Sequence, residues 1–164
     1  MTVLLVTAPQ GREGDAILEL EWALGKVRVR GTDWKGVLLA ETPLSKEEAV
    51  RLLVDFETQS IFRVVPLDEL VRSDENEVVE RAAEIARKRI KPDESFAVRC
   101  KKRGDKIKSG KGVELRLGAR IKEETGAAVN LGSPTWYVLI EVLGRRTGVA
   151  VVRAGEMVKK RVEE

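Results

Sequence analysis

The chain has 164 residues, of which 43% are hydrophobic and 35% charged, and its formal net charge is +3. This balance supports a buried core beneath a charged surface, which excludes a disordered tail protein. The chain has no histidine and only one cysteine, which excludes Ser-His-Asp and Cys-His catalysis and the usual zinc sites, so we expect neither metal nor cofactor.

The first 65 residues alternate between short apolar strands and amphipathic helices. Residues 13–24 carry one apolar helical face, and Ser45 with Glu48 forms a capping box before a second helix. Strands are expected at residues 3–7, 26–30, 37–41 and 61–65, with Pro66 ending the last one. The order strand, helix, strand, strand, helix, strand predicts a ferredoxin-like unit.

A polar, acidic stretch at residues 66–75 is expected to be a linker to a second unit. In that unit we expect helices from the Asp74 cap to Pro92 and at 109–124, strands at 95–101, 127–131, 135–143 and 148–153, and a hairpin at 144–147. The sequence therefore predicts an α+β protein with a ferredoxin-like domain at 1–65, a second domain at 66–155 and a helical tail at 156–164.

The composition also bears on location. No apolar run approaches the roughly 20 residues that a membrane helix requires, and the short apolar N-terminus lacks the basic leader of a signal peptide. A single cysteine fits a reducing compartment. The chain has few Asn and Gln residues and many Lys, Arg and Glu residues, a composition that is typical of proteins from thermophiles. We expect a cytoplasmic protein that has no membrane partner.

Positive charge is concentrated in one segment, from Arg99 to Lys122. Ten of the 30 basic residues lie there, opposed only by Asp105 and Glu114, so the segment carries +8 while the rest of the chain sums to −5. A basic block on an otherwise slightly acidic protein is typical of a site for a polyanion such as a nucleic acid. The alternative is a solvated, charge-rich surface.

The start of the predicted helix in this segment, at Ser109, is a candidate anion site. Residues 104–112 differ from a phosphate-binding P-loop in two ways. Five residues instead of four separate Gly104 from Gly110-Lys111, and Gly112 replaces the Mg²⁺-binding Ser or Thr. Even so, Ser109 and the two glycines open a helix whose first N–H groups attract anions. The alternative is a flexible loop that ends in an ordinary N-cap.

Arg116 and Arg120 lie four residues apart and share one face of that helix. No acid lies between them, so we expect them to repel each other unless an anion binds nearby; Glu124 could instead offset Arg120. Strand alternation places Cys100 with Phe96 and Val98 on a buried face, which predicts a core residue instead of a reactive thiol. Trp136 and Tyr137 are likewise expected to be core residues.

Three pieces in order carry a family resemblance. Residues 95–104 are similar to a strand that leads into a basic turn, residues 109–126 to the helix that follows, and residues 128–134 with 137–142 to a Val-Asp/Asn-Leu-x-x-Pro turn and the next strand. Together, over residues 66–155, they resemble a THUMP domain, an RNA-binding module of tRNA-modifying enzymes. A ferredoxin-like unit ahead of THUMP is common in that family.

The resemblance implies binding of tRNA, typically at its acceptor end. In many relatives a catalytic domain follows; because this chain stops at Glu164, we expect no enzyme activity. Short proteins of this layout resemble the adaptor that presents tRNA to an RNA cytidine acetyltransferase. The alternatives are a subunit of another tRNA-modifying enzyme, for methylation or thiolation, or a scaffold that binds an acidic protein. The expected RNA-binding residues are Arg99, Lys101, Lys102, Arg103, Lys106, Lys108, Ser109, Lys111, Arg116 and Arg120.

Overall fold

The computed structural model describes residues 1–163 and divides the chain into two compact units. One unit contains residues 1–67 and the chain from Gly155 onward, and the other contains residues 68–154. The elements in chain order are β1 (Thr2–Thr7), α1 (Glu13–Leu24), β2 (Arg28–Gly31), β3 (Val37–Thr42), α2 (Lys46–Asp55), β4 (Arg63–Leu67), β5 (Glu69–Arg72), α3 (Glu75–Arg89), β6 (Ser95–Lys101), α4 (Gly110–Thr125), β7 (Ala128–Val129), β8 (Trp136–Leu143), β9 (Arg146–Val152) and β10 (Val158–Lys159).

The N-terminal unit is built on an antiparallel sheet with the strand order β10-β4-β1-β3-β2. Its first six elements follow the predicted order of strands and helices. Leu20 of α1 and Leu53 of α2 are at most 1% exposed, and both pack in the core with Leu4 of β1. The predicted cap of α2 is present, since the Ser45 hydroxyl accepts a hydrogen bond from the backbone N–H of Glu48 at 3.2 Å.

The predicted linker at residues 66–75 is wrong, and so is the predicted strand end at Pro66. Strand β4 continues through Pro66 to Leu67, and residues 69–72 form β5, which pairs with β9. Pro66 is tolerated because β10 pairs only with Arg63 and Val64, so the missing N–H lies at an edge of the sheet. Between the strands, Asp68 accepts two hydrogen bonds from the Arg89 guanidinium and one from the Val151 N–H, each at 2.8 Å.

The predicted helical tail is also wrong within the described residues, while Glu164 lies outside them. Residues 158–159 form β10 against β4, and the Lys160 N–H donates to the Phe62 carbonyl at 2.8 Å. Met157 and Val158 are 7% and 1% exposed. Burial of these two side chains outweighs the local preference of the tail, and a two-residue strand leaves no periodic pattern in the sequence.

The second unit has a mixed sheet in the order β5-β9-β8-β6-β7, with β6 parallel to both of its neighbours. Strand β6 has the predicted bounds, and α4 follows its Ser109 cap and ends at Gly126, whose φ of 76° suits a left-handed helix terminus. Val113, Leu117 and Ile121 form the buried stripe of α4, each 0% exposed. None of the helices within residues 1–163 has the length and hydropathy to span a bilayer.

The stripe of α4 yields a stability prediction. We expect Leu117→Ala to lower the free energy of unfolding by about 2–5 kcal/mol, because it leaves a cavity between α4 and the sheet. Leu115, on the same helix, is 65% exposed. Leu115→Ala is therefore the matched control, with an expected loss within about 0.5 kcal/mol. Urea denaturation of both variants checks this, and equal losses would contradict the orientation of α4.

Candidate nucleic-acid interface

The basic loop between β6 and α4 is fixed to the domain at several points. Ile107, in the middle of the loop, is 1% exposed and belongs to the core of the second unit. The Arg103 carbonyl accepts a hydrogen bond from the Gly144 N–H at 3.1 Å, and the Lys102 ammonium donates to the Lys108 carbonyl at 3.1 Å. These contacts argue against the flexible-loop alternative and hold the intervening lysines in defined positions.

The start of α4 is partly capped by its own chain. The Ser109 hydroxyl accepts a hydrogen bond from the Gly112 N–H at 2.9 Å, so this expected binding residue already satisfies one of the free helix donors. Gly110 lies against the end of β6, where an added Cβ would stand 3.4 Å from the Cys100 carbonyl oxygen. Ser109 therefore acts as an N-cap, and Lys111 supplies the exposed positive charge at this helix end.

Arg103 lies inside the fold and not on the expected binding surface. It is 8% exposed, and its guanidinium donates to the Glu141 carboxylate of β8 at 3.1 Å, with Glu141 2% exposed. A buried charge requires such a partner, because transfer of an unpaired ion from water into a protein interior is very costly. Arg103 thus fastens the basic loop to the sheet.

Arg116 and Arg120 are paired with carboxylates of the protein itself, which corrects the expectation that they await an external anion. Arg116 bonds Glu75 at 3.0 Å, and Arg120 bonds Glu80 at 2.7 Å and Glu124 at 3.0 Å. The hydrogen bond from Arg120 is the main cause that lowers the pKa of Glu80. Glu75 and Glu80 belong to α3, so two of these pairs link α3 to α4.

Seven basic residues of the segment remain exposed and form no ion pair within residues 1–163. We call this set the open basic surface, and it consists of Arg99, Lys101, Lys102, Lys106, Lys108, Lys111 and Lys122. Six of them are among the RNA-binding residues expected from the sequence. Lys122 joins the set because it is exposed and belongs to the same basic segment. The structure therefore separates the basic segment into three arginines that are paired with carboxylates and seven exposed cations that form no ion pair within residues 1–163.

An apolar cleft of about 280 Å³ adjoins the open basic surface. Its walls come from α4, β6 and the segment around β7, and they include Leu115 and Leu131, which are 65% and 68% exposed. Lys111 and Lys122 also line the cleft. Arg99 donates to the Leu131 carbonyl at 3.0 Å. Sequence analysis missed this cleft; one local signal is Leu115, a leucine outside the buried stripe of α4.

The comparisons with known proteins identify the second unit. Residues 72–152 match the family model described as "THUMP domain". This part of the chain is a THUMP domain. The open basic surface and the apolar cleft both lie within the matched residues.

Other proteins extend the likeness beyond the THUMP domain. An uncharacterized protein of Methanocaldococcus jannaschii is 32% identical over 131 residues, which cover 80% of this chain and 34% of the relative. Among solved structures, a Pyrococcus horikoshii protein matches 97% of this chain and 55% of its own length with a TM-score of 0.71 at 18% identity. The chain thus spans about a third of that curated relative and about half of that structure.

Two further structures are similar in fold. TrmN from Thermus thermophilus matches 98% of this chain and 46% of its own length, with a TM-score of 0.70 at 19% identity. A 4-thiouridine synthetase in complex with RNA and ATP matches 97% of this chain and 42% of its own length, with a TM-score of 0.65 at 16% identity. At these identities the likeness establishes a shared fold.

Cys100 of the THUMP domain is not activated as a nucleophile. Burial is the main cause that raises the pKa of its thiol to about 11, and the nearby carboxylate of Glu114 adds to the effect. Its side chain packs against the core of the domain, as the strand alternation indicated. Trp136 is also buried, with its indole N–H donated to Glu94 at 3.0 Å, while Tyr137 is half-buried and faces the Arg99 guanidinium at 5.1 Å.

We predict a slow reaction of Cys100 with iodoacetamide. A pKa of about 11, against an ordinary value of 9.0, leaves about 100-fold fewer thiolates at pH 8. The alkylation rate of the native protein should therefore be well below the rate in urea, and it should rise as the pH approaches 11. Mass spectrometry follows the reaction, and equal native and unfolded rates at pH 8 would contradict the assignment.

The buried pair of Arg103 and Glu141 yields another prediction. Arg103→Ala should lower the free energy of unfolding by about 3–5 kcal/mol, because the Glu141 carboxylate stays buried without its guanidinium partner. The double variant Arg103→Met with Glu141→Leu removes both charges and should recover most of that loss. Thermal and urea denaturation measure both. A stable Arg103→Ala protein that has lost only RNA affinity would instead assign Arg103 to the binding surface.

Proposed function

We propose that this protein binds tRNA through its THUMP domain and presents it to an RNA cytidine acetyltransferase, without catalysing the reaction itself. The observation that carries the tRNA proposal is the open basic surface: seven exposed cations, none with a carboxylate partner within residues 1–163, on a domain of this family. Phosphates that replace counterions at such a surface provide affinity without reading a base sequence.

The apolar cleft supports an unpaired RNA end as the bound part of the tRNA. Single-stranded nucleotides can turn their bases away from a helix and place them against apolar or aromatic side chains. Leu115 and Leu131 offer such a wall, and Lys111 and Lys122 can neutralise phosphates on either side of it. The acceptor end of tRNA is unpaired at its terminus, which fits this combination of an apolar wall and flanking charge.

Chemical composition supports an adaptor over an enzyme. The chain has no histidine for general acid–base catalysis, and its one thiol has a raised pKa. The layout, with a THUMP domain after a βαββαβ unit in the strand order β4-β1-β3-β2, resembles the acetyltransferase adaptor, and we propose that this first unit is ferredoxin-like. We place the protein in the cytoplasm, where tRNA is modified.

A second candidate is a tRNA-binding subunit for methylation or thiolation. The solved structures named TrmN and 4-thiouridine synthetase favour it, because both share this fold. The nucleoside content of tRNA from a deletion strain separates the candidates. We expect loss of N-acetylated cytidine, restored by a plasmid copy. Loss of a methylated or thiolated nucleoside with normal acetylation would favour the second candidate. Binding to an acidic protein that survives nuclease treatment would favour a scaffold.

The open basic surface predicts salt-sensitive tRNA binding. If about five to seven phosphates are neutralised, the slope of log affinity against log salt should be roughly −3 to −6. Replacing Lys106, Lys108 and Lys111 by Gln should flatten that slope by about two units and weaken binding at least tenfold at low salt. Fluorescence titration of labelled tRNA across salt concentrations measures both quantities.

The matched control removes three exposed lysines from outside the basic segment, Lys26, Lys35 and Lys91, also by substitution with Gln. It lowers the net charge by the same amount, so it corrects for the overall field of the protein. We expect the control to keep the parental slope. The proposal of a localised binding surface fails if both triple variants lose affinity equally, or if the parent protein shows a slope near zero.

A further inference from the structure

The outer face of α1 carries two apolar side chains that the core does not use. Leu18 and Trp22 lie one helical turn apart and are 45% and 66% exposed. The opposite face of the same helix supplies Ala16, Leu20 and Leu24 to the core of the N-terminal unit. An exposed tryptophan beside an exposed leucine is unfavourable in water, and tryptophan is one of the residues enriched among the energetic anchors of protein interfaces.

The charge of α1 indicates what kind of partner could bind its outer face. The helix contains four acidic residues and no lysine or arginine. Glu13 and Glu19 are occupied, since Glu13 accepts from the Gly36 N–H at 2.9 Å and Glu19 from the Gln59 and Ser60 N–H groups at 2.9 and 3.0 Å. Asp15 and Glu21 are exposed and form no ion pair within residues 1–163. The two apolar side chains are therefore accompanied by two free carboxylates.

We infer that this face of α1 is a docking site for a protein whose surface presents an apolar pocket bordered by lysine or arginine. Complementary charge favours such a partner, and the pocket would receive Trp22. The carboxylates repel the phosphates of RNA. A second copy that paired through the same face would bring like charges together. The inference rests on the proposed function in one respect: the partner is the enzyme to which the tRNA is presented.

The test uses the full chain and the purified RNA cytidine acetyltransferase of the same organism, with affinity measured by biolayer interferometry. Leu18→Ala with Trp22→Ala should weaken binding by about 30-fold or more, the loss expected when an interface anchor is removed. Asp15→Lys with Glu21→Lys should also weaken binding, and it leaves the apolar residues in place. Val54→Ala on α2, where Val54 is 53% exposed, is the control and should bind like the parent.

Each variant is also titrated with tRNA and examined by gel filtration with light scattering. We expect unchanged tRNA affinity and unchanged mass. If the parent binds the acetyltransferase and both α1 variants bind it equally well, the docking site is wrong and the proposed function stands. If the parent binds tRNA but not the acetyltransferase, the docking proposal is wrong. The proposal that this enzyme is the partner is then also wrong, while tRNA binding stands. A change from dimer to monomer in the α1 variants would overturn the inference in favour of self-association.

Discussion

The position of α4 on the sheet of the THUMP domain determines which of the helix's charges are exposed in the candidate interface, and it shapes the apolar cleft. Its stripe of Val113, Leu117 and Ile121 is completely buried, and that burial fixes the rotation of the helix about its own axis. With this rotation, Lys111 and Lys122 come to line the cleft while Arg116 and Arg120 reach α3. Loss of the apolar stripe would therefore remove both the cleft and the arrangement of charges.

The domain uses its arginines and lysines differently, and the chemistry of the two side chains explains why. A guanidinium is planar, weakly hydrated and able to bond carboxylates with several donors, so it suits ion pairs that are partly or fully removed from water. Arg103, Arg116 and Arg120 all serve in this way. An ammonium is a strongly hydrated point charge on a mobile stem. The lysines of the basic segment stay exposed, and a phosphate can displace their counterions without breaking an ion pair within residues 1–163.

Local sequence pattern predicted the helices and strands whose own residues show apolar periodicity or alternation. It failed for the elements whose structure depends on residues far along the chain. Helix α1 and strand β6 have the predicted bounds, because apolar periodicity and alternation there agree with burial. Strand β10 has two residues, and β5 lies in a charged stretch, so both depend on sheet partners far along the chain. The basic segment was evident from charge alone, but the carboxylates that pair with its arginines belong to α3 and β8.

The open basic surface and the acidic outer face of α1 belong to different units, which has a kinetic consequence for the proposed adaptor. Long-range attraction steers a polyanion toward exposed lysines that form no ion pair within residues 1–163, and it falls off within about 8 Å at physiological salt. The exposed carboxylates of α1 belong to the other unit and repel the same polyanion. Under the proposed function, the sign of charge directs RNA and a basic protein partner to different surfaces. Such a separation suits the proposed adaptor, because a single mixed surface would let the two macromolecules compete.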